Sequence, residues 1–300
     1  MQTTKEKIDE ILEWDNGRSF RRHLKKAMAN LSDAFDDNKD EFRAHLGASI
    51  IGRVCERQIW MGFRFAEKGT VKARMIRLFN RGHLEEARFE AMLRMIGCDL
   101  WTHDANGVQW RFQTLGGHFC GSLDGIVKGV PEDPKTPMLC EFKTHSEKSF
   151  SRVSDRGVLS TKLEHFVQMQ IYMKMFNLSK ALYMAVNKNN DDLYTEIVPF
   201  KNEVAEQYLD RARKIIFSEK IPPRISDSPG WWVCKMCSLY PFCFEGAKIA
   251  VERKTCRTCV YIEPIEEGGW VCNKNFIPVP LPFEEQVEEK RCHRLHPDLR

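Results

Sequence analysis

Asp124 and the triplet Glu141-Phe142-Lys143 are the residues whose types and spacing could do chemistry in this chain. Asp124 stands in Gly121-Ser-Leu-Asp124-Gly125, and sixteen residues separate it from Glu141. Side chains alternate along a strand, so Glu141 and Lys143 project to one face while Cys140 and Phe142 turn to the other. The glycine after Asp124 suits a bend that delivers its carboxylate to the end of the neighbouring strand. Two carboxylates converging on one point repel unless a cation sits between them. Oxygen donors of this kind suit Mg²⁺ or Mn²⁺. A lysine beside them supplies positive charge for a phosphoryl transition state, or helps deprotonate a metal-bound water. The triplet alone also describes an ordinary amphipathic strand with Glu and Lys on its wet face.

The elements that must position these residues can be read from periodicity. Residues 1–46 form two polar helices: Ile8, Ile11 and Leu12 make one short apolar stripe, and Phe20, Leu24, Met28, Leu31 and Phe35 recur at helical spacing. The run Arg21-Arg22-His23-Leu24-Lys25-Lys26 makes a basic face, which by itself reads as a solvated helix surface. Residues 70–97 carry the strongest helical pattern, with Gly97 as its stop. Strands are expected at Val108–Phe112, Phe119–Val127 and Met138–Lys143, in an antiparallel sheet joined by the Gly/Pro-rich loop 129–137. A helix over 160–177, strands at Ala181–Val186 and Leu193–Pro199, and a helix over 202–219 follow. Pro222 and Pro223 end it, and from 231 the composition turns to cysteine, proline and aromatic residues.

Two further motifs flank the triplet. His83 lies in Arg81-Gly82-His83-Leu84-Glu85-Glu86 on the long upstream helix. Gln168-Met-Gln-Ile-Tyr172 lies on the helix after the sheet, where Gln168 and Tyr172 share a face with His165. In this order, the histidine helix, Gly-x-x-Asp-Gly, Glu-Phe-Lys and Gln-x-x-x-Tyr resemble the motifs of the RecB-like branch of the PD-(D/E)xK nuclease superfamily, over roughly residues 48–245. The resemblance implies that His83, Asp124, Glu141 and the backbone carbonyl of Phe142 hold Mg²⁺ or Mn²⁺. It implies that Lys143 orients or activates the attacking water, and that Gln168 and Tyr172 position Lys143 and the scissile phosphate. His165 stands where the family often has tyrosine. Glu86 is left open as a second-metal carboxylate.

The chain holds 11 cysteines. Cys234, Cys237 and Cys243 have C-x2-C-x5-C spacing, and three thiolates need a fourth ligand to complete a tetrahedral or cubane site. Cys55, far upstream, provides one. One cysteine before the core and three after it is similar to the [4Fe-4S] site of AddB-type nucleases and of the CRISPR-associated exonucleases of the fourth Cas family, some of them phage-encoded. Zinc on the same four ligands is the alternative. Such a site would close a loop of nearly 190 residues. A second set, Cys256, Cys259, Cys272 and Cys292, reads as a zinc ribbon, with His293 or His296 as alternative fourth ligands. Cys98, Cys120 and Cys140 are expected to be buried hydrophobes.

Composition bounds these readings. With 42% hydrophobic and 29% charged residues, Phe 19 and Trp 7, the chain can bury a core. No run approaches the roughly 18 apolar residues of a membrane span. The first residues lead into a charged amphipathic segment and not an apolar leader, so the expected location is a reducing cytoplasm, where clustered cysteines bind metal more readily than they form disulfides. A net charge of +4 does not by itself point to nucleic acid; an enzyme touching phosphates in one groove needs only local basicity. The expected fold is α/β: a mixed central sheet with flanking helices in a nuclease domain (47–248), a helical arm (1–46) and a cysteine-rich, zinc-ribbon-like module (249–300). The expected function is a metal-dependent exonuclease acting on DNA ends or single strands in recombination, repair, phage DNA metabolism or CRISPR adaptation. The expected partners are DNA and a helicase, recombinase or integrase. Two alternatives are a DNA-binding module of the same fold serving a helicase or integrase, and a metal-cluster redox or sensor protein.

Overall fold

Largely apolar runs along Met138–His145 and Lys180–Asn187 form two interior strands of the main sheet, both buried on both faces. A computed structural model describes residues 2–29, 31, 44–66, 72–248, 255–274 and 277–278. The first helices are α1 (Thr4–Trp14), α2 (Arg18–Met28), α3 (Ala48–Ile51), α4 (Glu56–Phe63) and α5 (Ala73–Met95), with the short strand β1 (Leu46–Gly47) before α3. Then come β2 (Asp99–Trp101), β3 (Arg111–Thr114), β4 (Phe119–Ser122), β5 (Gly125–Lys128) and β6 (Met138–His145). Helices α6 (Glu147–Thr161) and α7 (Leu163–Met175) lead to β7 (Lys180–Asn187), β8 (Leu193–Pro199) and α8 (Asn202–Ile216). Short helices α9 (Trp232–Lys235) and α10 (Tyr240–Phe244) precede β9 (Ile262–Pro264), β10 (Trp270–Cys272) and β11 (Ile277–Pro278).

The chain divides into two compact units. The first takes Met1–Lys39, Val71–Phe112 and Ser122–Glu206. Its sheet runs β2-β5-β6-β7-β8, mixed in direction: β6 and β7 are parallel and the other neighbours antiparallel. One face carries Cys140, Phe142, Leu182 and Met184 into a core shared with Ile8, Phe89 and Leu93 from the helices. Phe89 stacks on Phe142 with ring centroids 4.9 Å apart. The N-terminal helices therefore belong to this core: Ile8 is fully buried, and α1 starts with a Thr3/Glu6 capping box. The loop 129–137 joins β5 to β6, as its Gly and Pro content predicts.

Several expectations shift in detail. The helix expected over 70–97 ends at Met95, with Gly97 at φ +88 and its N–H bonded back to Arg94. The strand expected over Phe119–Val127 is broken at Leu123–Asp124, giving β4 and β5. The strand expected at Val108–Phe112 starts later, at Arg111, because Asp104 Oδ1 accepts from the Asn106 and Val108 backbone N–H groups and folds that stretch into a turn. Helices α3, α4 and α6 carry no strong apolar period and were not expected. Helix α6 bends at Gly157, φ +74, where Glu196 accepts the Val158 N–H at 2.8 Å and restarts the helix.

The second unit takes Asp40–Thr70, Gln113–Gly121 and Gln207–Arg300. Here β1 pairs with β4 in parallel, and β9, β10 and β11 form an antiparallel sheet. Arg257 is fully buried: its guanidinium lies 3.8 Å from the Trp270 ring and 4.2 Å from Phe63, and donates to the carbonyls of Phe63 and Ala44. The turn at Gly268 passes so close to Gly116 that a Cβ on Gly116 would sit 2.5 Å from the Gly268 nitrogen. Cys98, Cys120 and Cys140 are buried, as expected of small hydrophobes. No described helix is long and apolar enough to cross a membrane.

Candidate active site

The break between β4 and β5 is what positions Asp124. Gly125 pairs with Cys140 across β5 and β6, and a Cβ on it would lie 3.2 Å from the Trp101 carbonyl, so a side chain there would push β2 and β5 apart. Asp124 Oδ2 accepts the backbone N–H of Phe142 at 2.6 Å, which ties the bend to the middle of β6. Glu141 and Lys143 project from the face of β6 opposite Phe142, and helices α6 and α7 cover that face. The covering removes the wet face that the sequence suggests: Glu141 is fully buried, and Lys143 keeps a quarter of its side chain exposed.

Lys143 neutralises this pocket. Its ammonium forms an ion pair with Glu141 Oε1 and donates to the Phe142 carbonyl at 3.2 Å. It thus occupies two of the oxygen atoms that a divalent cation would use. Glu141 Oε2 is buried with no hydrogen-bond donor. Burial pushes the Glu141 carboxyl up to about 7, against the opposing pull of Lys143 and with the help of Asp124. Burial raises Asp124 as well, opposed by Lys143 and the Phe142 N–H. For Lys143, burial pulls the ammonium down, but Glu141 and Asp124 outweigh it and hold the group above the usual lysine value.

Asp124 and Phe142 open onto a cleft of about 190 Å³ whose walls include Glu86 and Glu90 of α5 and His103 and Gln109 of the β2–β3 connection. His83 is half exposed one turn before Glu86, with Nδ1 3.8 Å from the Glu86 carboxylate. The α5 carboxylates, and not His83, line the cleft. Glu86 also acts electrostatically on Lys143. Among the described residues no three His, Cys, Asp or Glu side chains converge as ligands of one metal ion.

Gln168 and Tyr172 are buried one helical turn apart on α7, and Gln168 Nε2 donates to Tyr172 Oη at 3.3 Å. Tyr172 packs edge-on against Phe112. His165 does not join them. Its Nδ1 lies 3.0 Å from Tyr183 Oη, which is 2.8 Å from His145 Nε2, and His145 Nδ1 meets Ser149 Oγ at 3.1 Å. The two imidazoles stack 5.7 Å apart. Burial, then the charges of Lys162 and Lys143, lowers His145 to about 4; burial, then Lys143, drives His165 well below the usual imidazole range. Both rings are therefore neutral near pH 7. Tyr183 pairs with Glu141 in the β6–β7 register, so this polar chain continues from the carboxylate along the sheet. Sequence reading missed His145 and Tyr183. The signal for His145 was its alternate-strand position two residues after Lys143; Tyr183 lies on another strand and left none.

In the second unit, Cys55, Cys234, Cys237 and Cys243 line one pocket, although 178 residues separate the first two. Burial raises the thiols of Cys234 and Cys237, and the neighbouring cysteines of the set add to it. In the C-terminal segment, Cys256 and Cys259 bracket a turn closed by the Cys259 N–H on the Cys256 carbonyl. Cys272 pairs with Ile262 across β9 and β10, three residues from Cys259. Cys292, His293 and His296 lie outside the described residues.

No protein-family model matches the chain, and no curated protein matches it. Among solved structures it is similar to the crystal structure of SSO0001, with 17% identity and a TM-score of 0.38 over 76% of this chain and 97% of that one. It is also similar to an alkaline exonuclease, LHK-Exo, from Laribacter hongkongensis, with 15% identity and a TM-score of 0.41 over 57% of this chain and 86% of that one. The same exonuclease in complex with dAMP gives 12% identity and a TM-score of 0.39 over the same shares. Likeness at this level says nothing of chemistry or substrate.

Proposed function

We propose that this protein is a divalent-metal-dependent DNA nuclease, an exonuclease acting on DNA ends or single strands, with Asp124, Glu141 and Lys143 at its centre. One observation carries the reading: a fully buried glutamate beside the partly buried Asp124, with one glutamate oxygen lacking any donor. Structure has no use for such a pair. Burying an unsatisfied carboxylate beside another costs several kcal/mol by the usual magnitudes, and apolar replacements of similar size would be more stable. A cation between the two removes both the repulsion and the missing contact.

The donor set fits Mg²⁺ or Mn²⁺: carboxylate oxygens of Asp124 and Glu141 and the carbonyl of Phe142, with Glu86 and Glu90 lining the cleft from α5. When bound, such an ion supplies Lewis acidity and a water acidified toward neutral pH. The chain's own residues do the rest. Phe142 N–H fixes the Asp124 carboxylate. Lys143, held protonated by its two acidic neighbours, offers positive charge to the phosphate as charge builds on its oxygens. Gln168 and Tyr172, already hydrogen-bonded and rigid on α7, position the lysine side of the site.

The four cysteines of the second unit are proposed to hold a [4Fe-4S] cluster. A single zinc draws its thiolates to about 2.3 Å from one point, whereas a cubane spreads them over four irons. Cys55, Cys234, Cys237 and Cys243 lining one pocket support the reading that the four serve one metal centre. Zinc is proposed for Cys256, Cys259, Cys272 and Cys292, and a helicase, recombinase or integrase as partner. The test is digestion of 5′- and 3′-labelled single- and double-stranded oligonucleotides, with a circular control, in Mn²⁺. Wild-type protein should shorten ends and lose activity in EDTA; Lys143→Ala should be inactive but folded. Full activity in Lys143→Ala would overturn the assignment.

A further inference from the structure

Arg57 is half-buried on α4, two residues after Cys55, and lines the same pocket as Cys55, Cys234, Cys237 and Cys243. Its Nη1 donates to the Pro222 carbonyl at 3.2 Å. Its Nε is buried with no hydrogen-bond acceptor. A buried N–H without an acceptor has lost its water and gained nothing in return, so each such group calls for an explanation.

Arg224 lines the pocket as well. Three contacts fix its guanidinium. Nη1 donates to the Cys243 carbonyl at 2.7 Å, Nη2 donates to Asp227 Oδ1 at 3.3 Å, and the group lies 5.1 Å from the centre of the Phe244 ring. Its charge acts on the Cys234 thiol. With 38% of its side chain exposed, Arg224 is the wetter of the two.

Two guanidiniums and no carboxylate therefore line a pocket of four cysteines. A guanidinium does not shed its proton in a protein, so both charges are permanent. The Nη contacts tie one chain segment to another and need no further purpose. Arg57 Nε makes no such tie. An inorganic anion would accept from it, but Ile225, Val233 and Phe244 form much of the remaining wall and would leave the other oxygens without donors. The sulfurs of an iron–sulfur cluster are anionic acceptors, and hydrogen bonds to them together with nearby charge set its reduction potential.

We propose, resting on the iron–sulfur reading of the four cysteines, that Arg57 and Arg224 are positioning residues of that cluster. Arg57 donates its Nε–H to a cluster sulfur, and the two guanidiniums together raise the reduction potential. The sign follows from charge. A cluster on four thiolates is already an anion, and an added electron makes it more negative, so fixed cations favour the reduced form more than the oxidised one.

The test is a dye-mediated redox titration of the full chain, purified without oxygen, followed by electron paramagnetic resonance. Iron and sulfide content and circular dichroism are measured on every variant. Arg57→Gln should lower the ratio of reduced to oxidised cluster at a fixed potential about tenfold, a shift of about 59 mV for one electron. Arg224→Gln should lower it about threefold, because water screens the more exposed charge. Arg224→Lys, which keeps the charge, should return to within about twofold of the wild type, a rescue that a merely structural tie would not give. Arg57→Lys keeps the charge and removes the Nε donor, so its potential should fall between those of Arg57→Gln and the wild type. This variant also serves where Arg57→Gln does not retain iron. Full clusters with wild-type potentials in Arg57→Gln, or in Arg57→Lys where the first loses iron, overturn the proposal and leave the iron–sulfur reading standing. So does an Arg224→Lys protein shifted as far as Arg224→Gln. A wild-type protein that holds zinc and no iron at these cysteines overturns both.

Discussion

Glu141→Gln isolates the electrostatic strain of the buried carboxylates. Glutamate titrates near 4.5 in an unfolded chain, and burial in the folded protein raises Glu141 to about 7. A folded pKa above the unfolded one means that the folded state binds the proton more tightly. Its contribution to stability is then full below pH 4.5 and is lost as pH rises through 7. The difference corresponds to about 3 kcal/mol. Asp124 moves in the same direction through burial and adds to the effect. Wild-type protein in EDTA should therefore lose about 3 kcal/mol of stability between pH 5 and pH 8, relative to Glu141→Gln under the same conditions. Urea denaturation followed by tryptophan fluorescence at several pH values measures it. Chelation acts on the cysteine sites of both proteins alike, so the comparison cancels it. In Mn²⁺ the wild-type curve should flatten, because a cation takes over the role of the proton between the carboxylates. Parallel pH curves for wild type and Glu141→Gln in EDTA would refute the reasoning.

Ile8→Ala should destabilise the first unit by about 2–5 kcal/mol, since Ile8 is fully buried in the core; a midpoint of urea unfolding equal to the wild type would show that the N-terminal helix is dispensable. Gly125→Ala should cost about 1–3 kcal/mol and lower Tm, because the new Cβ meets Leu100 at 3.1 Å and the Trp101 carbonyl at 3.2 Å. Protein purified without oxygen should be brown, with absorbance near ~400 nm from thiolate-bound iron, and Cys55→Ser should bleach it. A colourless wild-type protein with two tightly bound zinc ions per chain would replace the cluster by zinc.

The residues near the chemistry were legible in the chain because their signals are local. Glu141 and Lys143 are two apart on a strand whose apolar partners Cys140 and Phe142 mark the other face, and the structure keeps that alternation. Strand β8 and helix α8 begin where their periodicity begins, at Leu193 and Asn202. Helix α6 was not legible: its apolar positions are few, and a glutamate from β8 restarts it after Gly157. Tertiary structure alone decided the environment of the site. Burial of Glu141 comes from α6 and α7 folding over β6, and the His145–Tyr183–His165 chain joins two strands and a helix. The same holds for the cleft, where α5 offers Glu86 and Glu90 in place of His83. Likewise the meeting of Cys55 with Cys234, Cys237 and Cys243 closes a separation that no local pattern spans. A sequence states which groups alternate or repeat along one element. Which charges end up without water depends on what packs over them, and that is settled only when distant elements meet.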